Sequence, residues 1–134
     1  MKPKISLICL GVRDVQRSLA FYRDGLGFEA HNYTEGEDHV MLRMEGSWLS
    51  LFPRDLLAED AAVSPEGSGF PGFTLAHNVN SPEEADAVFA LAVSCAAKPV
   101  KAPRKIFWGG YSGYFADPDG FLWEVCHNPF TDLT

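Results

Sequence analysis

The strongest candidate for chemistry in this chain is a carboxylate near its end. Glu124 lies in an apolar run between Trp123 and Val125. A segment rich in glycine and aromatic rings, residues 107–114, precedes it, and a turn sequence, residues 117–120, separates the two. Burial disfavours a charged carboxylate unless donors or a cation compensate. Glu124 is therefore interpreted as a general base, a group that binds a cation, or a structural acceptor, and we expect it to orient a ligand.

The elements that must position Glu124 repeat in the two halves of the chain. In the second half, Ser81 is an N-cap hydroxyl, Pro82 follows it, and Glu84 stands three residues after the cap, which predicts a helix start. In the first half, Asp14 can cap a helix in the same way. Apolar residues then recur at three- and four-residue steps in both helices.

Each predicted helix is preceded by a β-rich run and followed by several more. In the first half these later runs are residues 29–33, 39–44 and 47–52, with a short helix at 53–61. The pattern predicts two βαβββ modules in an α+β protein. We expect one domain over residues 1–134, with module one at about 1–63, a glycine- and proline-rich linker at 64–72, and module two at 73–134.

Composition narrows the class of partner. The 134 residues include 46% hydrophobic ones, enough for a core, and the 18 acidic against 11 basic side chains give a net charge of -7. Such a charge repels nucleic acid and anionic membranes, and no apolar run reaches the ~20 residues that span a bilayer. Cys9, Cys95 and Cys126 lack CxxC spacing, which favours reduced, buried thiols in a cytoplasmic protein.

Two stretches carry a resemblance to a known family. The first begins with Leu10-Gly11-Val12-Arg13-Asp14, and the second, residues 107–128, contains Asp117-Pro118-Asp119-Gly120 and Trp123-Glu124-Val125. Together they resemble the vicinal oxygen chelate superfamily, which includes glyoxalase I, extradiol dioxygenases, fosfomycin-modifying enzymes and bleomycin-binding resistance proteins. The second stretch is similar to uncharacterised glyoxalase-like proteins. The resemblance implies modules paired within one chain or between two chains, a curved mixed sheet with a concave pocket, and a homodimer.

The resemblance also implies where a metal would bind. Relatives that use a metal take ligands from four strands, and those places fall on Leu7, Ser50, Phe73 and Glu124. Among them Glu124 alone is a strong ligand, because leucine and phenylalanine offer no lone pairs. We therefore expect no tightly bound metal and no cofactor. A displaced site formed by His39, His77 and Glu124 stays open as an alternative.

Alternation along the strands predicts which side chains share the wall of a pocket. In the closing hairpin, a four-residue turn at 117–120 pairs Gly113 with Glu124 and Tyr111 with Cys126. A glycine opposite the carboxylate leaves volume for a ligand or water, or only eases the strand twist. The side chains predicted to point inward are Leu7, Cys9, Trp48, Ser50, Phe52, Phe73, Leu75, His77, Leu122, Glu124 and Cys126.

These patterns predict a small-molecule-binding protein. The ligand-binding candidates are Trp48, Ser50, Phe73, His77, Trp108, Tyr111 and Glu124, with no catalytic residue assigned. The leading interpretation is metal-free sequestration of a drug or metabolite, of the bleomycin-resistance type. The alternatives are a metal-dependent lyase, isomerase or dioxygenase, a proton-transfer enzyme that uses Glu124, and an interaction module whose pocket is vestigial.

Overall fold

The computed structural model describes all residues from Met1 to Thr134. The chain divides into two compact units, Met1–Gly69 (unit 1) and Phe70–Thr134 (unit 2). The predicted linker, residues 64–72, contains the boundary between them. That both units form one functional domain stays a prediction.

Unit 1 is a four-stranded mixed sheet with helices. Its elements are β1 (Leu7–Val12), α1 (Val15–Leu19) continued by a π-helical segment (Ala20–Gly25), β2 (Glu29–His31), β3 (Val40–Arg43), β4 (Trp48–Pro53) and α2 (Arg54–Asp60). The strand order is β1-β4-β3-β2, with β1 and β4 parallel and the other neighbours antiparallel. This is the βαβββ order that the sequence predicts, followed by the expected short helix.

Unit 2 repeats the arrangement of unit 1. Its elements are β5 (Leu75–Asn78), α3 (Pro82–Ser94), β6 (Lys98–Lys105), β7 (Tyr111–Ala116) and β8 (Leu122–His127). The strand order is β5-β8-β7-β6, again with a parallel first pair, β5 and β8, and antiparallel neighbours beyond. The predicted α+β class with two βαβββ modules is confirmed.

α1 and α3 begin directly after the capping residues that the sequence indicates. The Asp14 carboxylate accepts a hydrogen bond from the Arg17 backbone N–H at 3.0 Å. The Ser81 hydroxyl accepts from the Glu84 N–H at 3.1 Å, and the Glu84 carboxylate in turn accepts from the Asn80 N–H at 2.8 Å. These bonds satisfy amide donors that a helix start leaves free.

Each unit buries one face of its sheet under its helices. In unit 1 this face carries Leu10, Leu49 and Leu51, and α1 covers it with Val15 and Leu19, all buried. Cys9 and Leu7 project from the other face and are exposed, so the predicted burial of Cys9 is wrong for this unit. The reason is that α1 covers the opposite face, and α2 contacts the Cys9 side of β1 only near Gly11.

In unit 2, the helix-covered face carries the buried residues Phe115, Trp123 and Val125. The opposite side of the sheet is called the open face of unit 2. Strand pairing places on it Ala76, Asn78, Lys98, Lys101, Arg104, Ser112, Tyr114, Ala116, Leu122, Glu124 and Cys126. Glu124 is thus held by a central strand rather than by a loop.

Candidate functional site

The turn before β8 sets which residue faces Glu124. The Gly120 N–H donates to the Asp117 carbonyl at 3.0 Å, which is the predicted four-residue turn. However, the Asp117 N–H also donates to the Phe121 carbonyl at 2.9 Å, and Gly120 has a φ of +91°. A glycine in this left-handed conformation closes a three-residue hairpin loop with a bulge. The pairing of β7 with β8 is therefore shifted by one residue from the prediction.

This shift changes the neighbour of every residue on the two strands. Tyr114 lies opposite Glu124, and Gly113 lies opposite Val125. Tyr111, predicted to pair with Cys126, pairs instead with His127. Because side chains alternate between faces, a one-residue shift moves Tyr111 to the helix-covered face. There its hydroxyl donates to the Asp86 carboxylate of α3 at 2.9 Å.

Gly113 does not leave open volume above Glu124, so that prediction is wrong. A Cβ at Gly113 would lie 2.7 Å from the Pro103 nitrogen and 2.8 Å from the Lys101 carbonyl oxygen. The pairing of β6 with β7 is irregular between Lys101 and Arg104, and the backbone there approaches Gly113. The glycine is explained by the close approach of a neighbouring strand.

The carboxylate of Glu124 has two hydroxyl groups beside it, those of Ser112 and Tyr114. Ser112 donates its hydroxyl to Glu124 Oε1 at 2.6 Å, and Ser112 itself is 1% exposed. Burial raises the pKa of Tyr114 above its ordinary value, and the neighbouring Glu124 carboxylate raises that pKa further. Burial also raises the pKa of the Cys126 thiol, with a second contribution from Glu124. Both groups therefore stay protonated at neutral pH beside one carboxylate.

Sequence reasoning named Glu124 but missed Ser112 and Tyr114. Both lie in the segment 107–114 that was singled out for its rings and glycines. The signal that could have found them is the glycine at the last place of the turn, because a left-handed Gly120 implies the three-residue loop. With that register, Ser112 and Tyr114 come to the face of Glu124 directly.

His77 and Leu75 are also on the wrong face for the predicted site. His77 pairs with Val125 and Leu75 with Trp123, so both share the helix-covered side. Ala76 is the β5 residue that lies beside Glu124. A displaced metal site that joins His77 to Glu124 is therefore contradicted, because the two side chains project from opposite faces of the sheet.

The predicted aromatic residues of unit 2 lie in loops. Trp108 is 38% exposed in the β6–β7 connection, and its ring packs over Gly110, which has no side chain to block it. The ring centroid of Trp108 is 6.5 Å from that of Phe130. Phe73 is 43% exposed before β5 and lies 6.2 Å from the Phe121 ring. A ligand contact for Trp108 and Phe73 stays a prediction.

In unit 1, Trp48 and Ser50 share the face of the sheet that α1 leaves uncovered, and their place in the wall of a pocket stays a prediction. Ser50 is fully buried, and its hydroxyl is 3.1 Å from His39 Nε2. Trp48 makes an edge contact with the His31 ring at 4.9 Å. His39, whose face the sequence left open, therefore belongs to the same side of the sheet as Ser50, and the hydrogen bond satisfies both groups.

The donor groups do not fit a resident divalent metal. Of the four places implied by the resemblance, Leu7 and Phe73 provide no lone pair, and Ser50 is already bonded to His39. Glu124 Oε1 accepts from Ser112. No three His, Cys, Asp or Glu side chains converge anywhere in the structure. A stable divalent site ordinarily has three or more protein ligands of these kinds, or a set of oxygen donors.

Comparison with known proteins agrees with this architecture. Residues 4–125 match the model of the Glyoxalase/Bleomycin resistance protein/Dioxygenase superfamily. The chain belongs to this superfamily. Two βαβββ modules and the Asp117–Gly120 hairpin are thus features of a glyoxalase-fold protein. No curated protein matches the chain.

Several solved glyoxalase-fold structures are similar to the chain. A glyoxalase-related enzyme from Fulvimarina pelagi is 29% identical, with a TM-score of 0.87, covering 98% of this chain and 93% of that one. A family protein from Burkholderia phytofirmans is 23% identical, with a TM-score of 0.80 and coverage of 92% and 98%. A lactoylglutathione lyase from Agrobacterium tumefaciens is 24% identical, with a TM-score of 0.70 and coverage of 96% of both chains. The last two show the fold alone.

The helices of this glyoxalase-family chain are short. None of them has the length and apolar character needed to cross a lipid bilayer.

Proposed function

We propose that this glyoxalase-family protein binds a small molecule on the open face of unit 2, with the Glu124 carboxylate as the acceptor that orients it. The observation that carries the proposal is the hydrogen bond from Ser112 to Glu124 on a sheet face without a covering helix. The bond fixes the carboxylate, and with Tyr114 as the other protein neighbour about two of its acceptor sites stay available for a ligand. Few, well-placed polar groups among apolar neighbours are typical of small-molecule sites.

The proposed mode of action is sequestration without a metal, as in bleomycin-resistance proteins. The donor set around Glu124 supports this over a metal-dependent lyase, isomerase or dioxygenase, because a single carboxylate holds a divalent ion weakly. We further propose that the protein is cytoplasmic and acts as a homodimer. Light scattering of the purified protein measures the second point, since a monomer of 14.8 kDa and a dimer differ twofold in mass.

Substitution of the carboxylate tests the binding proposal. A panel of drugs and metabolites, including bleomycin, is screened by thermal shift, and the hits are titrated against Glu124→Gln and Ser112→Ala. Loss of a charge-assisted hydrogen bond should weaken binding by about tenfold or more in Glu124→Gln. Glu83→Gln, an exposed glutamate of α3, is the matched control and should bind normally. Equal affinity of Glu124→Gln and the wild type for every hit refutes the assignment.

A second candidate is a proton-transfer enzyme in which Glu124 is the base. The pairing of Tyr114 with Glu124 favours it, because a hydroxyl beside the carboxylate can stabilise a developing oxyanion. Exchange of a ligand carbon-bound proton for deuterium, followed by NMR, separates the two candidates. Exchange that vanishes in Glu124→Gln indicates the enzyme, and binding without exchange indicates the sequestering protein.

A further inference from the structure

The basic residues of unit 2 are confined to one strand. Lys98, Lys101, Arg104 and Lys105 are the lysines and arginines of residues 70–134, and all lie in β6. The whole chain has a net charge of -7, so this strand differs in sign from its surroundings. β6 is an edge strand, paired on one side only with β7. Charge on an edge strand prevents pairing with another chain, and that role needs no particular face.

The bulges of β6 bring three of these cations to the same face. In a regular strand, residues three apart point to opposite sides of the sheet. Here Lys98 pairs with Ala116, Lys101 with Tyr114, and Arg104 with Ser112, and all three partners lie on the open face. The pairing shifts between Pro99 and Lys101 and again between Lys101 and Arg104. Each shift adds the one residue that keeps the next cation on that face.

Protection of the β6 edge against pairing with another chain does not explain why three cations share one face. Lys105 pairs with Tyr111 and projects from the helix-covered face, so charge at the edge is available without the bulges. The second bulge also requires glycine at position 113, since a Cβ there would meet the backbone of Lys101 and Pro103. The fold thus accommodates an irregular strand whose result is a row of cations beside Ser112 and Tyr114.

No ion pair neutralises this row. Neither Lys101 nor Arg104 has an acidic partner in the structure, and Lys101 is half-buried beside Tyr114. Glu124 is the acidic group of the open face, two strands away across Tyr114. With strands ~4.8 Å apart, the Lys101 and Glu124 backbones are about 10 Å apart. One small molecule can therefore meet a cation at one end and the carboxylate at the other.

We infer that Lys101 and Arg104 bind an oxyanion, a carboxylate or a phosphate, carried by the same ligand that Glu124 orients. The inference rests on the proposed function and specifies its ligand class. The ligand has an anionic group at one end and, within about 10 Å, a hydrogen-bond donor that meets Glu124. A purely cationic drug is disfavoured, because the row repels it.

Titration of the full chain with two simple probes tests the inference. Inorganic phosphate and malonate are titrated by NMR into the wild type, Lys101→Gln, Arg104→Gln and Lys105→Gln. Lys105→Gln removes the same charge from the same strand but on the opposite face, so it is the matched control. We expect about a tenfold loss of affinity in each of the first two variants and less than about a twofold loss in the control.

The outcomes separate this inference from the proposed function. Preference for phosphate or for malonate identifies the oxyanion. Equal losses in all three variants indicate attraction by net charge alone and overturn the inference, as does absence of saturable binding of both probes at ~10 mM, tenfold above a Kd of ~1 mM. If the proposed function fails, Glu124→Gln leaves the affinity for panel hits unchanged, yet the Lys101 and Arg104 effects on the probes persist. If only the inference fails, Glu124→Gln weakens the binding of panel hits, whereas Lys101→Gln and Arg104→Gln bind the two probes no more weakly than Lys105→Gln.

Discussion

Replacement of Gly113 by alanine tests the packing of the β6 bulge against β7. The added methyl would stand 2.7 Å from the Pro103 nitrogen and 2.8 Å from both the Lys101 carbonyl oxygen and Pro103 Cγ. Ordinary contacts between nonbonded carbons are ~3.5–4.0 Å, so the overlap is about 1 Å. Two of the three atoms belong to the backbone and cannot rotate away. The strand must shift or the bulge must open.

The expected cost follows from two opposing effects. Inserting a methyl into a packed site costs about 1–3 kcal/mol, and the upper part of that range, about 2–3 kcal/mol, applies here because two of the three blocking atoms are backbone. Alanine recovers roughly 0.4–1 kcal/mol, because it restricts the unfolded chain, and Gly113 has no positive φ that would add strain. The net loss of unfolding free energy is about 1–2.5 kcal/mol. Since 1 kcal/mol shifts the Tm of a domain of this size by about 2–8 °C, the change is measurable.

Urea denaturation of Gly113→Ala and Gly11→Ala compares a blocked glycine with a less crowded one. At Gly11 the nearest atom to an added Cβ is Arg54 Cα at 3.3 Å, so the neighbours need move only slightly. We expect Gly11→Ala to change stability by less than about 1 kcal/mol. Wild-type stability in Gly113→Ala would refute the packing argument. Full stability with lost ligand affinity would instead favour the register that pairs Gly113 with Glu124.

Three further predictions concern the Asp117 turn, the residue after α3 and the stability of the protein at alkaline pH. Asp117→Ala should cost about 1–3 kcal/mol in urea denaturation, because the buried carboxylate accepts from two turn N–H groups at 2.9 and 2.8 Å, and Asp117→Asn should cost less. Ala96→Gly should leave stability unchanged or raise it by up to ~1 kcal/mol, since Ala96 has a φ of +77° after α3, and a larger loss would contradict this. The raised pKa of Tyr114 means that folding favours its protonated form, so its contribution is complete below about pH 10 and is lost as pH rises beyond it. Unfolding curves at pH 9 and 11 should show a smaller decline in Tyr114→Phe, and an equal decline would contradict the assignment.

Local signals in the sequence predicted most of the fold. The caps at Asp14 and Ser81 and the turn at 117–120 depend on side chains and backbone only a few residues apart, so their chemistry can be recognised without tertiary information. The order of strands and helices follows from the same short-range patterns. The pairings of β1 with β4 and of β5 with β8 span long stretches of chain, and only the structure shows them.

The faces of the strands were harder to predict than the strands themselves. One residue in the loop before β8 decides whether Gly113 or Tyr114 faces Glu124, and the left-handed Gly120 decides the loop. The β6 bulges have no local signature beyond Pro99 and Pro103, so the shared face of Lys101 and Arg104 could not be read from alternation. The prediction that Cys9 is buried failed for another reason. Burial of Cys9 depends on what covers the face of the sheet opposite α1, and local sequence patterns do not show this.

The number of acceptor sites on Glu124 links the fold to the proposed function. An ionised carboxylate has about four lone-pair sites. Ser112 uses one of them, and Tyr114 interacts with the same carboxylate, so at most two are occupied by the protein. About two acceptor sites of Glu124 stay unfilled, and the cations of β6 on the same face have no acidic partner. A ligand that carries a hydrogen-bond donor and an oxyanion satisfies the carboxylate and the cations together.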